Sequence, residues 1–259
     1  ETQGTLHYVY SMFTDTAPFN DPNVRLALKY GIDREDLLDK LLFGHGYVGN
    51  DHPIGKSNKY YAADLPQRPY DPDKAKFHLK KAGLTDLTVP LSAADTAFSG
   101  ATDGALLYKE HAAKAGINID VTREPNDGYY SDAWLKKPFQ AVSWGARPTP
   151  DVMFTLAYSS EAAWNESRWQ NERFNELLLQ AKSELDDGLR AEIGHGDRRF
   201  VLLCHRLVGN EVRLNCRTQP ARCYDGFDRH IPFGLIRHAR VGSQWDLGRQ
   251  QAGGAWYDR

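Results

Sequence analysis

The stretch from Leu87 to Trp144 decides the architecture: LTVPLS (87–92), DGALLYKEHAAKA (103–115), INIDVT (117–122), YYSDAWLK (129–136) and FQAVSW (139–144). The first, third and fifth segments are short and apolar, with β-branched or aromatic residues, and each reads as a strand. The second and fourth carry apolar residues at helical spacing. Strand and helix alternate, and that order calls for an α/β fold with a mostly parallel sheet flanked by helices.

Upstream, Thr5 to Phe13 reads as an opening strand. Asp21-Pro22 supplies a cap and a first-turn proline for a helix that Gly31 stops. Asp33 caps a second helix ending at Gly44, with Ile32 placed to staple against Leu37. The glycine-rich run Gly44 to Pro53 reads as a long surface loop, and Asp71-Pro72 opens a third helix closed by Gly83. Downstream come a proline-punctuated loop, Gly145 to Asp151, an aromatic stretch to Trp169, and a helix from Asn171 to about Glu192 with Phe174, Leu177, Leu178, Ala181 and Leu185 on one face.

The formal charge of −2 over 259 residues gives no basic footprint, so no nucleic-acid partner is expected. No run of eighteen or more apolar residues suggests a spanning helix, and the first ten residues do not read as a secretion signal. Cys204, Cys216 and Cys223 have neither a disulfide-framework count nor metal-ligand spacing. No GxSxG, HExxH or GxxxxGK[ST] motif occurs, and Asp186-Asp187 is expected on the exposed side of a helix, so no catalytic residue and no cofactor are assigned.

Lysine occurs thirteen times up to Lys182 and never after Arg190, while arginine occurs eleven times between Arg198 and Arg259. Residues 1–192 are therefore expected to form one lobe and 193–259 an atypical Arg-rich tail. A shifted reading frame from about Gly194 to about Arg240 is one account of the change, and an unusual Arg-rich surface is the other.

Pro18-Phe19-Asn20-Asp21, Val24-Arg25-Leu26-Ala27 and Tyr30-Gly31-Ile32-Asp33-Arg34 together resemble the signature of the bacterial extracellular solute-binding proteins of the peptide, oligopeptide and nickel class. Tyr70-Asp71-Pro72, Ala82-Gly83-Leu84, Trp144 to Phe154 and Glu184 to Arg190 extend the resemblance over roughly residues 13–190, and Gly242 to Leu247 resembles a late segment of one subgroup. The resemblance implies the C-terminal lobe of a two-lobed, type II periplasmic binding protein. It also implies a monomer in the periplasm, or extracellular and membrane-associated, that captures a peptide-like or other small organic solute by hinge closure and delivers it to an ABC permease. A small α/β enzyme and a truncated, non-functional fragment are the alternatives.

Trp144 ends the last strand, where ligands of open α/β sheets sit, and is read either as a platform for bound solute or as a core residue. In peptide-binding relatives an acidic residue shortly after this tryptophan holds the ligand's ammonium group, but the matching position here is Arg147. A guanidinium there suits an anionic group on the ligand, or a salt bridge with Asp151, which alternatively caps a helix from Val152. Tyr158, Trp164, Asn165 and Trp169 offer an aromatic wall with polar groups, for a ligand or for packing. Arg25 and Arg34 are expected in structural ion pairs. His45, Asp51 and His52 are read as a solvated polar loop, with metal coordination as the lesser alternative.

Overall fold

A computed structural model describes residues 6–49, 51–63, 65–186 and, as backbone, 211–216. Its elements follow the chain as β1 (His7–Met12), α1 (Pro22–Tyr30), α2 (Arg34–Leu42), β2 (Gly46–Val48), α3 (Pro72–Lys81), β3 (Leu87–Ala93), α4 (Ala101–Ala113), β4 (Ile117–Arg123), α5 (Tyr129–Asp132), β5 (Phe139–Trp144), α6 (Pro150–Ala157), α7 (Glu172–Ser183) and β6 (Glu211–Cys216).

Local chemistry fixes the first helices. The Asp21, Asp33 and Asp71 carboxylates accept the amides of Asn23, Asp36 and Lys74, so each helix begins where its cap stands. At the end of α2, Phe43 is left-handed at φ 51°, and Gly44 follows at φ 75°.

The strands form one sheet in the order β2-β6-β1-β5-β3-β4. β3 is parallel to both β4 and β5, which gives the parallel core that the alternation requires. β1 runs antiparallel to β5, with His7 opposite Trp144 and Met12 opposite Phe139, and β6 and β2 extend the sheet beyond it. Pro90 is tolerated inside β3 because β5 pairs with that strand only at Ser92 and Gln140, leaving the side beside Pro90 without a ladder to complete.

Alternation along the strands sorts side chains onto two faces. Tyr8, Tyr10 and Met12 of β1 join Phe139 and Ala141 of β5 in a core shared with α1, α2, α3 and α4. Val9, Val142 and Trp144 point the other way, into a second cluster with Met153, Phe154, Phe174, Leu177 and Leu178 of α6 and α7.

The structure corrects several sequence expectations. The stretch expected as a loop from Gly44 to Pro53 contains β2, whose pairing with β6 lies some 170 residues away in sequence and leaves no local signal. The helix expected over residues 129–136 is a single turn, because Leu135 turns left-handed at φ 62° and donates its amide to the Gln140 Oε1 atom. α7 stops at Ser183, with Glu184 extended, so Leu185 does not join its buried face and is exposed. Asp186 lies beyond α7 rather than on it, and Asp187 falls outside the described residues. Of the 193–259 tail only the β6 backbone is described; Cys204, Cys223 and the Gly242 to Leu247 match lie outside it.

Candidate functional site

β5 ends at Trp144 at the carboxyl end of the parallel core, beside His7, the first residue of antiparallel β1. A cleft of about 170 Å³ opens there, lined by Leu6, His7, Tyr47, Pro53, Ile54, Gly55, Ser57, Asn58, Ala146, Arg147 and Met153. Arg147 is its one permanently charged wall residue, and no carboxylate lines it among the described residues. The guanidinium lies 5.8 Å from the Trp144 ring centroid and donates to the Gly145 carbonyl at 3.1 Å.

The loop walling the cleft is tied down from beneath. Asp51 and His52, expected in a solvated loop, are both buried, whereas His45 is exposed. The Asp51 carboxylate meets Arg34 at 2.9 Å and Lys29 at 3.5 Å, and also pairs with Arg68. Arg34 thus forms the structural ion pair expected of it. Arg25 instead donates to the Phe19 and Asn20 carbonyls. No group of three or more His, Cys, Asp or Glu side chains suited to a metal ion occurs among the described residues.

The other residues singled out in the sequence separate into two sets. Asp151 is not the cap: Thr149 precedes the helix and Pro150 begins it, so Asp151 lies in the first turn, where the helix dipole favours its charge. Tyr158 is buried with its ring edge-on to Phe154, and Trp169 is edge-on to Phe174 at 5.0 Å. The Asn165 amide donates to the Ser159 and Trp169 carbonyls, while its oxygen accepts from the Ser167 hydroxyl and the Trp169 amide. None of these three lines the cleft.

Trp144 and Trp164 come together, their centroids 6.1 Å apart, with Trp134 as a third ring at 6.5 and 6.2 Å from them. At their centre is Glu166, which the sequence reading missed. Its carboxylate accepts the indole N–H of Trp134 at 2.7 Å and of Trp144 at 2.9 Å. Burial pushes its pKa up from 4.5 to about 7, against the lowering effect of the two indoles. The signal in the sequence was a lone glutamate within an aromatic run, WNESRW (164–169).

The α/β lobe has the fold of the type II periplasmic binding proteins. The chain belongs to the bacterial extracellular solute-binding proteins, family 5, whose middle-section model matches residues 1–166. The di/tripeptide-binding protein 2 of Pseudomonas aeruginosa is 26% identical over 213 residues, which cover 76% of this chain and 40% of that one. The periplasmic binding protein DppA from Helicobacter pylori, solved with the peptide STSA, superposes at a TM-score of 0.73 and 22% identity, over 84% of this chain and 44% of that one. AgaA from A. tumefaciens R10, solved with agropinic acid, gives 0.73 and 22% over 83% and 45%. The chain therefore spans about two fifths of the length of the curated relatives it matches.

Proposed function

We propose that this chain is the solute-gripping, C-terminal lobe of the substrate-binding component of an ABC importer. It closes about a hinge over a peptide-like or other small organic solute and passes it to a membrane permease from the periplasmic or outer face. Residues 1–192 form the lobe, and β6 of the Arg-rich tail adds a strand to its sheet. The relatives support the solute class: by name they take di- and tripeptides, and AgaA holds an acid.

The observation that carries the proposal is the cleft beyond β5, with the Arg147 guanidinium in its wall. A guanidinium in the wall suits an anionic group on the solute, gripped in bidentate fashion. Trp144 carries the Arg147 guanidinium on its ring, Trp164 packs against Trp144, and Asp151, Tyr158, Asn165 and Trp169 are proposed to support them. The test is thermal unfolding of the chain with di- and tripeptides, opines, phosphorylated sugars and nickel, repeated on Arg147→Ala. Stabilisation by an anionic solute that disappears in the variant supports the reading. A transition that no member of the panel moves counts against it.

A further inference from the structure

Among the described residues, Glu166 is the one buried carboxylate whose hydrogen-bond partners are all neutral. Asp51 has three cations around it; Glu166 has two indole N–H groups, with ring faces beyond them. Its backbone carbonyl is held by the Ser11 hydroxyl of β1 at 3.0 Å, so the residue is fixed at both ends. One oxygen points to Trp134, just after α5, and the other to Trp144, at the end of β5.

We propose that Glu166 is a proton-operated positioning residue for the ligand face, setting the Trp144 ring on which Arg147 rests. This inference rests on the reading of Trp144 and Arg147 as that face.

A carboxylate offers both indoles charge-assisted bonds, which are shorter and stronger than neutral ones. A neutral acid keeps only weaker acceptors and adds a hydroxyl proton to be placed between the same rings. Losing or gaining one proton therefore tightens or slackens the hold on Trp134 and Trp144 together. Desolvation outweighs the two N–H donors and raises the group from 4.5 to about 7, within the physiological range.

The titratable and charged groups around Glu166 are two tyrosines, a histidine and an arginine. From α5 the phenols of Tyr129 and Tyr130 face it, both held protonated by burial. From β1 the Ser11 hydroxyl donates to its backbone carbonyl, from β5 Trp144 donates to its carboxylate, and the buried His7 stands opposite Trp144 on β1. In its own loop, Arg168 turns away to Asp15, at 3.6 Å, and to the Phe13 ring.

The experiment is a pH titration of the indole N–H resonances of the six tryptophans by proton–nitrogen NMR on the whole chain. Two of them, assigned by Trp134→Phe and Trp144→Phe, are expected to move downfield together with a shared midpoint of about 7. Glu166→Gln should abolish the movement while keeping the nuclear Overhauser contacts between the Trp144 and Trp164 rings, and Glu166→Ala should lose both. Trp134→Phe, which removes one donor and leaves the rest of the cluster, should raise the midpoint seen at Trp144.

Indoles that do not titrate, that titrate equally in Glu166→Gln, or ring contacts unchanged in Glu166→Ala would each overturn the inference. None of these readouts needs a solute. A positive titration beside an inert solute panel therefore sinks only the transport reading, and the reverse result sinks only this one.

Discussion

The Arg34 guanidinium donates to the Asp51 carboxylate at 2.9 Å with both side chains withdrawn from solvent, joining α2 to the loop that walls the cleft. Lys29 and Arg68 reach the same carboxylate, so one buried anion serves three cations. Removing it leaves buried positive charge facing positive charge. Asp51→Ala should cost about 3–5 kcal/mol, the usual penalty for breaking a buried pair, measured by urea unfolding. A loss below about 1 kcal/mol, typical of surface pairs, would show that the network contributes little.

Glu166 gives the lobe a pH-dependent stability of predictable sign. Its folded-state pKa, about 7, lies above the ordinary 4.5, so the folded form binds the proton more tightly than the unfolded form does. The stabilisation is complete below about pH 4.5 and is lost as pH rises through 7, for a total of about 3 kcal/mol. Glu166→Gln should flatten the stability profile over that window, as read from unfolding midpoints at each pH.

Much of this arrangement was legible in the sequence, and the reason is locality. Caps such as Asp21, Asp33 and Asp71 act within three residues, and the strand–helix alternation from Leu87 to Trp144 needs no distant partner. What escaped depends on contacts far along the chain. β2 exists through β6, the burial of Asp51 through Arg34, and Glu166 through Trp134 and Trp144. Of the aromatic residues taken as one wall, Trp144 and Trp164 share the Glu166 cluster, while Tyr158 and Trp169 are spent on packing against Phe154 and Phe174. Spacing alone assigns those roles no more firmly than it separates a core ring from a ligand platform.

Asn165 ties the segment from Ser159 to Trp169 together by accepting and donating to its own neighbours. Asn165→Ala should leave the Trp169 amide and carbonyl short of partners and cost about 1–3 kcal/mol. Differential scanning calorimetry would register this as a lowered Tm, and an unchanged Tm would contradict the role.

Gly104, inside α4, faces β1 and α2. A Cβ there would stand 2.5 Å from the Tyr10 hydroxyl and 2.8 Å from the Leu41 Cδ1 atom. Alanine is the better helix former by about 1 kcal/mol, yet overfilling this contact should reverse the sign and leave Gly104→Ala about 1–3 kcal/mol less stable. A stabilised variant in chemical denaturation would mean that α4 can move away from Tyr10 and Leu41.

The central claim is that the cleft beyond β5 takes a small solute by an anionic group. The most direct measurement is proton–nitrogen NMR of the chain titrated with the di- and tripeptide panel and with phosphorylated sugars. The account predicts saturable shifts confined to the neighbourhood of His7, Ile54, Gly55, Ser57, Asn58, Ala146 and Arg147, and their loss in Arg147→Ala. Shifts gathered elsewhere on the lobe, or shifts at the cleft that survive the loss of Arg147, would contradict it.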